Sequence, residues 1–278
     1  MKLDSLMTKI ALGAAPCVLG LDMGYSELPL EFMRGYADKA EAVRAFNRVL
    51  IGTVCDIIPA ISVNVAALLP YGTETVIDAI SYAKEKGLFT IADAKCSGDP
   101  VAAAAEAELY FDICDADCVT VSPYFGTDGL APIFEKSREA EKSVFVVAHS
   151  EYGSPREVRE LIAGTRSVYR VVCEKVSHLG DDRVGDMGYS EIGLSVGGVK
   201  NAVLSELRRT YKKTPMLITG YDGEKTAARD INGAFDIRGL GGLVYVTRTI
   251  TASDGEGAYS ERVRRAAEET VRELKLCF

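Results

Sequence analysis

The sequence predicts one closed (β/α)8 barrel of the TIM type, spanning residues 1–278 as a single domain. Three observations carry this. Eight short apolar runs rich in Val, Ile and Leu recur along the chain. Amphipathic helical patterns fill the gaps between them. The mean repeat is about 32 residues, the length of one βα unit. The runs read as continuous rather than alternating, as expected of parallel strands covered on both faces. A doubly wound open sheet would show the same order of elements and stays open as the alternative.

The strands are expected at Cys17–Asp22, Ile57–Val65, Phe89–Ala94, Cys118–Ser122, Ser143–Ala148, Ile192–Gly197, Pro215–Gly220 and Leu243–Thr247. Between the first two, Tyr36–Val54 places Ala40, Val43, Phe46, Val49 and Leu50 on one stripe, with Glu41, Arg44 and Arg48 elsewhere. Glu74–Glu85 and Ala202–Lys212 repeat the pattern, and Gly87 follows as a C-terminal cap. Ser260–Leu274 reads as a charged amphipathic final helix. The longest gap between strands runs from 149 to 191 and holds an acidic, glycine-rich stretch, Gly180–Gly188. A solvated loop is the plain expectation for it; a metal site built from Asp181, Asp182 and Asp186 is the alternative.

Composition narrows the function. Hydrophobic residues make up 47% and charged residues 26%, an ordinary globular balance that excludes disordered, collagenous and low-complexity classes. The net charge of −8 argues against a general nucleic-acid or anionic-membrane binder, though not against a small local anion site. The seven cysteines are scattered and odd in number, with no CxxC, and read as free thiols of a cytoplasmic protein. With only His149 and His178 available, no Cys/His zinc site is expected. The apolar run Ile10–Leu21 is too short to span a bilayer, contains Pro16 and lacks a signal-peptide layout, so no membrane or targeting segment is expected.

In barrels of this class the chemistry sits at the C-terminal ends of the strands. There the sequence places Asp22, Asp93 with Lys95, Ser122-Pro123-Tyr124, His149-Ser150, Gly197-Gly198, Gly220 and Arg248. Asp93 and Lys95 are two apart, so on a strand both face the same side, into the barrel mouth, with Asp99 just beyond the turn. Opposite charges favour the charged form, which makes Lys95 a cation or proton donor rather than a neutral nucleophile. A structural ion pair closing the barrel top is the other reading. Gly197, Gly198, Gly220 and Gly223, together with Arg248, mark either an anion site or ordinary turns.

Several stretches resemble a known family. DAKCSGDP (93–100), VTVSPYFGTDGLAPIFE (119–135) and FVVAHSEYGSP (145–155) are similar to orotidine 5′-monophosphate decarboxylase, in its longer bacterial branch. FNRVLIGTVCDIIPAISVNVAALLPYG (46–72) and GYSEIGLSVGG (188–198) continue the likeness, which covers roughly residues 15–255 in order. The resemblance implies a homodimeric barrel that converts the orotate nucleotide to UMP with no cofactor and no metal. It implies that Lys95 and Asp93 are catalytic and that Asp99 reaches into the partner's site. Asp22 would bind ribose, Ser150 would touch the pyrimidine and Arg248 would hold phosphate. Ser62 stands where the family has a lysine, and it joins Gly198 and Gly220 as an expected substrate contact.

The chain departs from the family pattern at several points. One extra residue separates Lys95 from Asp99, Ala103 replaces a ribose-binding Thr, Glu224 replaces a phosphate-binding Gln, and Thr219 replaces a Pro. Two alternatives therefore stand beside decarboxylation: a related enzyme acting on another phosphorylated compound, and a non-catalytic nucleotide-binding barrel. Tight UMP binding without turnover of the orotate nucleotide would distinguish the last.

Overall fold

The computed structural model describes residues 2–96, 98–152, 154–252 and 256–277. Ten strands follow in chain order: β1 (Cys17–Leu21), β2 (Ala60–Asn64), β3 (Phe89–Cys96), β4 (Cys118–Val121), β5 (Ser143–His149), β6 (Ile162–Ala163), β7 (Arg166–Ser167), β8 (Ile192–Gly197), β9 (Met216–Thr219) and β10 (Gly242–Val246). Eight of them close into a parallel barrel, in which β1 pairs with both β2 and β10. That closure excludes the open sheet. The eight barrel strands are those expected from sequence, with ends displaced by three residues at most. The helices Lys39–Val54, Thr73–Glu85, Asn201–Thr210 and Tyr259–Cys277 match their expected counterparts closely. Gly87, at φ 74°, ends the second of these as expected, in the left-handed conformation that glycine adopts without strain.

The strands explain their own composition. Residues of one parity, such as Cys17, Leu19 and Leu21, pack outward against the helices. Residues of the other parity point inward. At the N-terminal end of the barrel the inward residues are Val18, Ala60, Phe89, Ile91, Cys118, Phe145, Leu217 and Leu243, one buried apolar cluster. Gly193 belongs to this layer because a side chain would strike the Phe145 ring and the Pro215 carbonyl.

Three features were not expected. A helix at Lys2–Ala11 covers the N-terminal mouth and drives Leu3, Leu6, Met7 and Ile10 into the inward cluster. Its first turn is held by the buried Glu191 carboxylate, which accepts from the Leu3 and Asp4 amides at 3.1 and 3.2 Å and from the Ser143 hydroxyl. Strands β6 and β7 form a small antiparallel hairpin within the long gap. The stretch Gly180–Gly188 is more than a solvated loop. Arg183 is buried and donates to Ser137 and the Lys142 carbonyl, while the Met187 amide donates to Asp4 at 2.8 Å. Asp182 pairs with Arg138, and no three potential ligands come together to hold a metal among the described residues. The stretch therefore docks the N-terminal helix, and nothing in its geometry favours the metal alternative. The six described cysteines are unpaired, as expected, and Cys277 lies outside the described side chains.

Two outcomes follow for stability. Leu6→Ala should cost about 2–5 kcal/mol in denaturant unfolding, since it empties a packed site, whereas the exposed Leu12→Ala should fall within about 0.5 kcal/mol of wild type. The second concerns Asp115, which lies between Lys84 and Lys142, the latter at 2.6 Å. Burial pushes its carboxyl up, but the two lysines outweigh this and hold it below the usual range. A carboxylate with a lowered folded pKa stabilises above its unfolded value of about 4, and that stabilisation disappears as pH falls through the folded value. The stability gap between wild type and Asp115→Asn should therefore be constant near neutrality and shrink below about pH 4 in acid-unfolding titrations.

Candidate active site

At the C-terminal end of the barrel the inward rows turn polar. They open into a cleft of about 260 Å³ lined by Asp22, Ser62, Asn64, Asp93, Lys95 and His149, with Ser150, Glu151, Tyr152, Ser195, Thr219, Gly220, Tyr245 and Thr247 among the rest. The change along each row is direct: Phe89 and Ile91 give way to Asp93, Ala60 to Ser62 and Asn64, and Leu243 to Tyr245 and Thr247. Gly20 makes room for this layer, since a Cβ there would lie 2.4 Å from both the Tyr245 hydroxyl and the Thr247 methyl.

Lys95 and Asp93 meet as expected. The Lys95 Nζ lies 2.7 Å from Asp93 Oδ2. Simple alternation along the strand does not produce the contact, however. Strand β3 loses register with β4 between Ala92 and Cys96, and Lys95 sits at φ 50°, an uncommon conformation for a residue with a side chain. The Thr120 hydroxyl holds this bulge together. It accepts from the Lys95 amide at 2.9 Å and donates to Asp93 Oδ1 at 2.8 Å. Asp93 is thus clamped on one oxygen by Thr120 and on the other by Lys95, leaving the ammonium partly exposed to the cleft. Thr120 was missed in the sequence, although a hydroxyl within the apolar run Cys118–Val121 was the available signal.

The other expected residues divide. Asp22, Ser62, Ser150 and Gly220 line the cleft. Burial pushes the Asp22 carboxyl above its ordinary range, against the pull of the Arg248 charge. Asp22 Oδ1, Ser62 Oγ and His149 Nε2 are buried without hydrogen-bond partners among the described residues. The other His149 nitrogen, Nδ1, lies 2.6 Å from the Gly197 carbonyl oxygen.

Gly198 lines a neighbouring cleft with Lys200 and Thr226, separated from the first by Glu151. The Glu151 carboxylate accepts from Thr219 Oγ1 at 2.7 Å, and its chain lies flush on Gly198 and Gly220, where any Cβ would collide with it. These glycines therefore make space for Glu151, a role the sequence did not suggest. Arg248 is outside the lining of the main cleft, where Glu27 holds its guanidinium. Asp99 is also outside it. Its exposed carboxylate caps the helix Pro100–Ala107, accepting from the Val101 and Ala102 amides at 2.9 and 3.0 Å. Ser97, within the lengthened Lys95–Asp99 spacing, lies outside the described residues. Ala103 is buried in that helix, and Glu224 is exposed in a turn organised by Asp222. Neither lines the cleft.

Comparison with known proteins identifies the family. Residues 38–263 match the family described as "Orotidine 5'-phosphate decarboxylase / HUMPS family". An orotidine 5′-phosphate decarboxylase of Clostridium perfringens is 33% identical over 254 residues, covering 89% of this chain and 87% of that protein. One of Petrotoga mobilis is 27% identical over 277 residues, covering 96% and 95%. Among solved structures, the OMP decarboxylase of Leishmania donovani aligns over 100% of this chain and 99% of its own with a TM-score of 0.78 at 23% identity. That of Plasmodium berghei gives 0.80 at 14% identity, over 99% and 98%. These two structures bear on the fold alone. The sequence matches span most of the chain, including the strand that carries Asp93 and Lys95, and this chain belongs to the orotidine 5′-phosphate decarboxylase / HUMPS family.

Proposed function

We propose that this chain decarboxylates orotidine 5′-monophosphate to UMP, in pyrimidine biosynthesis. The observation that carries the reading is the Lys95 ammonium, held 2.7 Å from Asp93 at the mouth of the barrel. As the bond from C6 to the carboxylate breaks, its electron pair remains at C6 and CO2 departs. A fixed ammonium stabilises that developing charge without reorganising, then delivers its proton to C6. Asp93, clamped by Thr120, keeps Lys95 in place and sets a negative charge against the departing carboxylate. Water then returns a proton to Lys95.

Asp22 and Ser62 supply polar atoms for the ribose and the base, and Ser150 lies beside them in the cleft. Arg248 is assigned to the phosphoryl group. We further propose a homodimer in the cytoplasm, with Asp99 serving the partner's cleft. In support of a dimer face there, Asp99 is exposed, as are the apolar residues Val101, Tyr124 and Phe125 on the same side of the barrel rim.

A direct absorbance assay with orotidine 5′-monophosphate tests the activity. Lys95→Ala should lower turnover by at least about 10³-fold, because the electrostatic and proton-donor roles are lost together, with the circular dichroism spectrum unchanged. No turnover by wild type, or undiminished turnover by the variant, would end the proposal. The shared site has its own test. Asp99→Ala should also be nearly inactive, and mixing it with Lys95→Ala subunits should restore part of the activity. If mixing restores none, Asp99 does not act across subunits.

A further inference from the structure

Arg248 has a partner before any ligand arrives. It opens the short helix Arg248–Thr251 beyond β10, and its guanidinium is hydrogen-bonded to Glu27 Oε1. Glu27 comes from the segment after β1, the strand next to β10 in the barrel. Its other oxygen, Oε2, accepts from the Gly24 amide at 3.3 Å, which ties the carboxylate to its own turn. The contact is far in sequence and joins the two loops that flank Asp22. Both residues are solvent-accessible, so an entering ligand can reach them.

Resting on the reading of Arg248 as the phosphoryl-binding residue, we propose that Glu27 is a specificity-determining residue: an internal carboxylate that occupies Arg248 until a phosphoryl group displaces it. The physical argument is one of exchange. A guanidinium offers a planar fork of donors that suits carboxylate and phosphate alike. A ligand carboxylate arriving at Arg248 would replace one carboxylate by another and gain little. A phosphoryl group carries nearly two charges and three acceptor oxygens, so it gains from the exchange. Glu27 therefore lowers affinity for every anion at this position, and only the strongest overcomes it.

The test measures dissociation constants of UMP and uridine by ligand-observed NMR, using the full chain and variants whose thermal midpoints match wild type. Glu27→Gln should tighten UMP by about 2- to 5-fold, the scale of an exposed ion pair, while leaving uridine unchanged. Glu31→Gln removes the same charge from the adjacent exposed helix and should leave the UMP-to-uridine ratio as in wild type. Arg248→Ala should bring that ratio toward unity, and adding Glu27→Gln to it should change nothing further. If Arg248→Ala collapses the ratio but Glu27→Gln does not raise it, the inference fails and the reading of Arg248 stands. If Glu27→Gln tightens UMP equally without Arg248, simple repulsion accounts for the effect and the exchange is overturned. If Arg248→Ala leaves the ratio intact, the assignment of Arg248 is itself wrong, and the inference falls with it.

Discussion

Each barrel strand has a single inward-facing row, and that row must serve two purposes. Near the N-terminal end it fills the barrel, and near the C-terminal end it builds the cleft. Because strand side chains alternate with period two, the same parity that buries Phe89 and Ile91 presents Asp93. A slip of one residue would exchange the inner and outer rows, putting carboxylates under the helices and valines in the cleft. Register is therefore the constraint on which both the core and the site depend. The closed parallel ladder, with no free edge, enforces it.

The two ends of the barrel use their buried polar groups for different purposes. At the N-terminal end most are tied into close contacts, although Asp117 Oδ1 there makes only longer ion pairs with Lys2, Lys84 and Lys142. Glu191 accepts from two amides and a hydroxyl, Arg183 donates to Ser137 and Lys142, and Arg208 donates to the carbonyls of Ala234, Thr214 and Gly241. These contacts seal the mouth beneath the N-terminal helix. At the C-terminal end Asp22, Ser62 and His149 each keep a buried atom without a hydrogen-bond partner among the described residues. The N-terminal end is thus closed by side-chain and helix contacts, and the C-terminal end carries the cleft.

The electrostatics of the cleft point the same way. Asp22, Asp93 and Glu151 line it, with Lys95 as its one lysine among the described residues. A lone ammonium among carboxylates is a strong, fixed source of positive field and a poor neutral nucleophile. The Thr120 clamp keeps that field aimed, because it fixes both the Asp93 carboxylate and the backbone from which Lys95 departs. The bulge at Lys95 stores local strain at the point where the chemistry is proposed to occur.

The eight strands, their order and the charged rim were legible in the sequence because they are local patterns: apolar runs, period-two spacing and helical stripes. Asp93 and Lys95 were picked out by that spacing, although a bulge and not alternation makes their contact, and Asp22, Ser150 and Gly220 were legible at the ends of strands, whereas Ser62 came only from the family resemblance. What the sequence could not disclose were contacts between residues far apart along the chain. Thr120 bridging the bulge, Glu151 lying on Gly198 and Gly220, Glu27 occupying Arg248 and Glu191 capping the N-terminal helix all join different βα units. Local propensity sets which strands form and which way their side chains face. Strand pairing in the tertiary fold decides which polar groups end within hydrogen-bonding distance, and for Glu27 and Arg248 it is the closing of the ring that does so, because it brings the first strand against the last.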